Sequence, residues 1–442
     1  MDKAFKVVEG SITAPAGFLA SGIFCDIKRL GTGKGSNKPN KRDLGIILSE
    51  LPATAAGMFT TNQVCAAPVK ICIEHLKKGT AQAIVVNSGN ANACTGAQGL
   101  KDARRMTQIV ARELHMPVPH VLVSSTGRIG VPLPMQNVEF GIFSALNALG
   151  NTPTHANEFT EAIMTSDSRP KQIAVELLLG GKRVRIGGVC KGAGMIQPGM
   201  SATGLRPAAI PLHATMLGFL TTDAAIEPKA LKRCLHEAIA NSFNRITVDG
   251  DMSTNDTVVI LANGAAMNKR VTSTDRQGLA RFQTALNFVT LELAKMIVRD
   301  GEGVSRFVTV RVAGARSFAD ADAAVRAVGN SALVKTSWCG GDPNWGRIID
   351  ALGYSTARVV EEKVDIAYSV PGNRKLLYSL RRGQPTNTAF ADLCKMTAAR
   401  EFDLHINLNL GKSSAVLYSS DLTEEYVDFN KGDVTDPASL GG

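Results

Sequence analysis

Apolar positions along this chain recur at two spacings, and the two alternate from one end to the other. Ala83–Val86 is a short apolar run, read as a strand, that ends in the Asn/Gly-rich segment 87–96. Ala103, Met106, Val110 and Leu114 then recur at helical spacing, with Pro117 closing the helix. His120–Val123 reads as a strand delivering Ser124-Ser125-Thr126-Gly127. Leu231, Cys234, Leu235, Ala238 and Ile239 form a helical stripe opened by Pro228. Thr257–Ala262 is apolar enough for a strand buried on both faces. Leu279, Phe282, Leu286, Val289, Leu293 and Met296 define a long amphipathic helix that stops at Gly301. Phe307, Thr309 and Arg311 alternate with Val308, Val310 and Val312 as in a strand, and Ser317 can cap the helix after it. No internal repeat or low-complexity tract interrupts this α/β pattern.

Composition narrows the class. The 442 residues suit two or three packed units, at roughly 100–200 residues each. Apolar residues make up 44% and charged residues 20%, as in a soluble globular chain. The net charge of +10 includes Lys28–Arg29 and a Lys38–Lys41 block, read as solvated surface. With aromatics at 5% and none interleaved with the basic stretches, a nucleic-acid surface built on stacking is disfavoured. No run of about 18 apolar residues is present to span a membrane, and Met1–Lys6 lacks a signal-peptide apolar stretch. The eight cysteines form no CxxC pair and no zinc-like cluster with histidine, so free thiols in a reducing cytoplasm are expected, with no metal. The segments 31–41 and after Pro437 are expected to be the least ordered.

Candidate chemistry is sparse when taken residue by residue. Gly31-Thr32-Gly33-Lys34-Gly35-Ser36 fails as a phosphate-binding loop: Lys28 stands where the first glycine is needed, and Gly35 follows the lysine where Ser or Thr is needed. The seven histidines are scattered, and His213 is notable only for its position just before Thr215. Lys191 lies on a Gly-rich stretch, 191–200. Thr215 sits between Ala214 and an apolar run, where spacing alone favours a core β-branched residue.

Longer blocks change that weighting. Lys191-Gly192-Ala193-Gly194-Met195-Ile196-Gln197-Pro198, followed by Ala214-Thr215-Met216-Leu217-Gly218-Phe219-Leu220-Thr221-Thr222-Asp223-Ala224, resembles the cleavage-site signature of the ornithine acetyltransferase (glutamate N-acetyltransferase) family. Further blocks agree in order: Gly10–Pro15, Val86–Gly96, Ser124–Gly127, Ala162–Asp167, Ser242–Asp251, Ser253–Asp256 and Asp342–Arg347. Together they cover nearly the whole chain.

The resemblance implies an α/β fold of stacked β-sheets flanked by helices, the self-cleaving threonine-nucleophile acetyltransferase fold shared with aminopeptidase-like proteins. It implies a cut between Ala214 and Thr215, giving an α chain, 1–214, and a β chain, 215–442, assembled as a heterotetramer. Thr215 would be the nucleophile, with its new α-amine as base. Thr126 and Gly127 would form the oxyanion hole. Thr165, Lys191, Thr215, Glu302, Asn430 and Thr435 would bind substrate. The implied reaction moves acetyl from N-acetylornithine to glutamate in arginine biosynthesis, without cofactor. Some members also accept acetyl-CoA, and nothing in this sequence decides that point.

Three departures stand out. Ser201–His213 is inserted just before the expected cut and brings Thr203 as a rival nucleophile. Trp338-Cys339-Gly340-Gly341 precedes Asp342 where the family usually carries an acidic residue. The tail beyond Asn430 diverges, so Thr435 matches by offset alone. Two rival functions follow: a threonine-nucleophile amidase or aminopeptidase on the same scaffold, and a cleavage-dead binding protein.

Overall fold

The computed structural model describes residues 4–28, 41–205, 216–373 and 375–431. Within them, nine strands form one mixed sheet: β1 (Phe5–Val8), β2 (Phe18–Ile23), β3 (Leu44–Phe59), β4 (Thr80–Asn90), β5 (Val121–Arg128), β6 (Lys171–Leu179), β7 (Lys182–Lys191), β8 (Leu217–Thr222) and β9 (Thr257–Ala262). Their spatial order is β1-β6-β7-β8-β9-β3-β4-β5, with β2 also paired to β3. A second sheet of six strands follows in sequence: β10 (Phe307–Ala315), β11 (Asp365–Ser369), β12 (Leu377–Arg381), β13 (Gln384–Pro385), β14 (Glu401–Asn407) and β15 (Ser413–Ser420).

The large sheet folds over along β3. The first part of β3 pairs with β2 and β4, and the last part pairs with β9. The ladder to β4 shifts register between Leu48 and Ala53. Pro52 lies in that break; having no N–H, it cannot carry a ladder there. The two halves enclose one core. Ile47, Ile84, Val86 and Leu122 come from one side, and Val189, Phe219, Val259 and Leu261 from the other. Phe159, from the Pro153–Ile163 helix, closes it edge-on to Phe219, ring centres 5.6 Å apart. Gly45 has no side chain because the Phe159 ring occupies that space: a Cβ would lie 2.7 Å from the ring.

Helices cover both outer faces. Phe282, Leu286, Val289 and Leu293 of the Arg276–Arg299 helix, with Leu231 and Leu235 of the Pro228–Ala240 helix, pack on Ile186, Leu220, Val258 and Ile260. Met106 and Val110 of the Gly96–Glu113 helix, with Val138 and Ile142 of the Met135–Asn147 helix, pack on Ile46, Val85 and Val123. Adjacent residues of one strand therefore serve different cores, which is why the central strands read as continuous apolar runs. The smaller sheet buries Val308, Val310 and Val312 under helices Phe318–Asn330, Ala332–Cys339 and Trp345–Gly353.

Most expected elements are present, with shifted ends. Thr257–Ala262 matches its strand residue for residue. Ser317 caps its helix by accepting the Asp320 N–H. The helix expected to close at Pro117 ends at Glu113, because His115 turns left-handed at φ 50°. The strand read as Ala83–Val86 runs on to Asn90, and Ser124–Gly127 belongs to β5 itself. Cys25, Cys72, Cys190 and Cys234 are buried free thiols, whereas Cys94 is exposed. Among the described residues, no helix is long and apolar enough to cross a membrane, and no cluster of His, Cys, Asp or Glu could hold a metal ion.

Candidate active site

Thr126 and Gly127 stand near the end of β5, in parallel register with Ser88 and Gly89 of β4. Three backbones are layered here. Gly127 has φ +130°, and a Cβ on it would lie 2.4 Å from the carbonyl carbon of Gly89. Gly89 has φ +96°, and its Cβ would lie 2.5 Å from the Lys28 Cα. Only glycine fits such a stack. The asparagines around it satisfy buried carbonyls: Asn87 Nδ2 donates to Asn90 O at 2.9 Å, and Asn92 Nδ2 to Gly99 O at 2.9 Å. Ser125 Oγ donates to Asn87 Oδ1 at 2.6 Å. Thr126 differs from all of these. Its hydroxyl is buried and has no hydrogen-bond partner among the described residues. Leaving such a group unsatisfied costs about 1–3 kcal/mol.

Lys191 ends β7. Its buried Nζ donates to Thr165 Oγ1 at 2.6 Å and lies 3.8 Å from Asp167 Oδ2. Asp167 organises this corner. Its Oδ1 accepts from Lys171 Nζ and from the Gly192 N–H, each at 2.6 Å, and its Oδ2 accepts the Thr165 N–H at 3.0 Å. Lys171 is also paired with Asp300. Burial opposes ionisation of Asp167, but Lys191 and Lys171 together overcome it and hold the carboxyl below the usual carboxylate range. Burial pulls the Lys191 ammonium below its ordinary value, with Asp167 working against that pull.

The Gly-rich stretch after Lys191 is clamped from outside. Asp249 accepts the Met195 and Ile196 N–H groups at 2.6 and 2.7 Å. Glu302 N–H donates to Ala193 O at 2.9 Å, and the Glu302 carboxylate lies against Gly194, where a Cβ would come within 2.3 Å of it. Asn430 Nδ2 donates to Glu302 Oε2 at 3.0 Å. Gly303 O accepts from Thr423 Oγ1 at 2.6 Å, which docks the Glu424–Asn430 helix beside Glu302.

The structure thus gathers two groups of the expected site residues: Thr126 with Gly127, and Thr165 with Lys191 beside Glu302 and Asn430. Ala214, Thr215 and His213 lie outside the described residues, as do Thr435, the phosphate-loop candidate 31–36 and the tail after Pro437. Of the insertion, residues 201–205 are described. Ser201 exchanges backbone hydrogen bonds with Phe59, and Thr203 is exposed, its Oγ1 accepting the Leu205 N–H at 3.3 Å.

Sequence reasoning gave no role to Asp167, Asp249, Asn255 or Asp256, although each falls in a quoted block. The signal was present in Ser253-Thr254-Asn255-Asp256, four polar residues running directly into a fully buried strand. Lys28, which the sequence presents as surface charge, is another such residue. It is half-buried, its Nζ donates to Arg42 O at 2.5 Å, and burial pulls its ammonium down to about 8 against the pull of Asp43.

Comparison with known proteins adds a second line. The ArgJ family model matches residues 27–433. The arginine biosynthesis bifunctional protein ArgJ of Symbiobacterium thermophilum is 44% identical over 421 residues, covering 95% of this chain and 98% of that protein. Its namesake from Geobacter sulfurreducens is 45% identical over 393 residues, covering 89% and 95%. That of Bacillus subtilis is 41% identical over 430 residues, covering 97% of each. Among solved structures, ArgJ of Bacillus halodurans is 41% identical, with 45% of this chain and 98% of that chain covered and a TM-score of 0.41. The ornithine acetyltransferase of Mycobacterium tuberculosis, solved in complex with ornithine, is 35% identical, with 45% and 100% covered and a TM-score of 0.40.

Proposed function

This chain belongs to the ArgJ family, and from that premise we propose that it is a cytoplasmic glutamate N-acetyltransferase of arginine biosynthesis, moving acetyl from N-acetylornithine to glutamate through an acetyl-threonine. In the uncut chain the Thr215 hydroxyl attacks the Ala214 carbonyl, the peptide bond becomes an ester, and water hydrolyses it. The products are the α chain, 1–214, and the β chain, 215–442, which pair and assemble as an (αβ)₂ heterotetramer.

In the mature enzyme the α-amine of Thr215, with an ordinary pKa of about 8, takes the hydroxyl proton. The oxygen attacks the acetyl carbonyl of N-acetylornithine. The amide C–N bond breaks, the proton passes to the leaving amine, and ornithine departs. The glutamate amine then attacks the acetyl-threonine ester and regenerates the hydroxyl. The oxyanion formed in each half is met by Thr126 Oγ1–H and the Gly127 N–H. Lys191 pairs the substrate α-carboxylate with Thr165 at its side, and Glu302, steadied by Asn430, accepts the ornithine ammonium. Thr435 is a further substrate-binding residue. Acetyl-CoA is a candidate second donor.

The observation that carries this reading is the Thr126 hydroxyl, buried and without a partner among the described residues. A hydroxyl held so is stabilised only when something else occupies its site, and an oxyanion is such an occupant. The test uses the purified full chain. A denaturing gel should show two fragments, the second beginning at Thr215. Thr215→Ala should leave one band of 46.8 kDa without activity, and Thr203→Ala should still be cut. Ornithine release should require glutamate beyond the first turnover. Full-rate release without glutamate would make the protein a hydrolase, and an uncut wild-type chain would make it neither.

A further inference from the structure

The polar run before β9 ties together two parts of the site that are not neighbours in the sheet. β5 carries Thr126 and Gly127, and β8 begins two residues after Thr215, at Leu217. Between them lie β4, β3 and β9. Asn255 Nδ2 donates to Ser125 O at 2.8 Å and to Ala91 O at 2.6 Å, gripping the backbone immediately before Thr126. The next residue, Asp256, accepts the Met216 N–H on Oδ1 at 2.6 Å, gripping the backbone immediately after Thr215. The dipeptide is itself held, because Asp256 O accepts the Thr60 N–H at 2.8 Å and Asn255 N–H donates to Ser253 Oγ at 2.9 Å.

Asp256 is fully buried, and its Oδ2 has no partner among the described residues. A core with no use for a carboxyl group would hold Leu there at less cost. Burial pushes the Asp256 carboxyl well above the usual carboxylate range, against the opposing pull of the Met216 N–H and of Lys191. A neutral carboxyl still offers the carbonyl oxygen that the Met216 N–H needs.

We propose that Asp256 is a positioning residue for the acetyl-transfer nucleophile. Through the Met216 N–H it fixes the backbone next to Thr215, while Asn255 fixes the strand of Thr126, so this dipeptide sets the separation of nucleophile and oxyanion donors. The proposal rests on the reading of Thr215 as nucleophile. It asks for an acceptor oxygen at position 256, not for a charge.

Three variants of the full chain test it: Asp256→Asn, which keeps an acceptor; Asp256→Leu, which keeps the volume without one; and Thr215→Ala. Chain cutting, kcat and KM for N-acetylornithine, and the pH profile of kcat are measured. Asp256→Asn is expected to stay within about threefold of wild type in kcat, with an unmoved pH profile. Asp256→Leu is expected to cut slowly and to lose about 30-fold or more in kcat at a KM within about twofold, because displacement of a reacting group acts on the chemical step. Wild-type kcat in Asp256→Leu overturns the proposal. So does a loss in Asp256→Asn as large as in the leucine variant, or a shifted pH limb. Should Asp256→Leu not fold, Asp256→Asn alone decides, with a tenfold loss in kcat counting against. If Thr215→Ala turns over, the nucleophile reading itself fails. If Thr215→Ala is inactive while Asp256→Leu is normal, only the positioning role fails.

Discussion

At the scale of single residues, the corner of Thr126 and Gly127, proposed above to receive the oxyanion, sets stability against chemistry. Thr126→Val removes the buried hydroxyl of that corner that has no partner among the described residues and keeps the shape. The melting temperature is therefore expected to hold or to rise, by up to about 1 kcal/mol of added stability. Turnover should nevertheless fall about 100-fold if the hydroxyl meets the oxyanion. Thermal melts alongside kcat check this, and a variant that lost both together would point to a packing role instead. Gly127→Ala makes a complementary case. Its Cβ would press on backbone atoms of Gly89 and Asn90, at 2.4 and 2.6 Å, which cannot rotate away. Gly130 also has positive φ, +81°, but open space around it. Gly130→Ala should cost about 1 kcal/mol from strain alone, and Gly127→Ala clearly more, about 3 kcal/mol, with loss of turnover. Equal melts for the two variants would show that the backbone stack is not what demands glycine.

At the scale of elements, the buried Asp167–Lys171–Asp300 group joins the start of β6 to the end of the Arg276–Arg299 helix. Asp167 has its carboxyl held low, so its contribution is present above its unfolded value of about 4 and is lost as pH falls through the folded one. Lys171 has its ammonium held high: burial opposes this, but Asp167 and Asp300 overcome it. Its contribution is present below about 10.4 and is lost as pH rises through the folded value. The group therefore stabilises fully across neutral pH. Lys171→Met should cost about 3–5 kcal/mol at pH 7, since it strands buried carboxylates. Having lost one of its two cations, Asp167 then binds a proton more readily, so the deficit should narrow from pH 7 to pH 5. Urea unfolding at both values measures it, and a deficit independent of pH would rule out pairing as the source.

The same scale shows what could be read beforehand. Strands buried on both faces, such as Thr257–Ala262, announce themselves as unbroken apolar runs. The ends of β4 and β5 did not, because Asn87–Asn90 and Ser124–Thr126 are polar, and polarity ordinarily marks a loop. Asn87, Ser88, Asn90 and Ser125 stay in strands because their side chains find partners inside the protein, as Ser125 finds Asn87, whereas Thr126 finds none among the described residues. The fold-over of β3 was hidden for a related reason: Pro52 marks a break, but nothing local tells which strands flank it. Of the candidate site, Thr126, Thr165, Lys191 and Glu302 came from resemblance, not from spacing. Asn255 and Asp256 were in view without a role, since their partners lie 164, 130 and 40 residues away.

At the scale of the whole molecule, the proposed cut falls in the middle of a sheet. β8 and β9 belong to the segment after position 215, yet they stand between β7 and β3, which belong to the segment before it. β8 pairs with β7 over Ile186–Lys191, and β9 pairs with β3 over Thr54–Phe59. Both large cores draw residues from both segments, as with Val189 against Phe219 and Ile186 against Leu220. Neither fragment can bury its own apolar faces alone, so cutting one peptide bond should not release them. The cut does change the thermodynamics: unfolding the uncut chain is unimolecular, whereas unfolding the cut protein also separates two chains and so depends on concentration. Cut wild-type protein should thus elute as one species, and its urea midpoint should rise as protein concentration rises tenfold and a hundredfold. The uncut Thr215→Ala chain should hold its midpoint over the same range, apart from any shared dependence due to higher assembly, which sedimentation would register in both. Fragments that part in plain buffer would contradict the interleaved sheet, and equal concentration dependence in cut and uncut protein would mean that the severed strands carry none of the coupling argued for them.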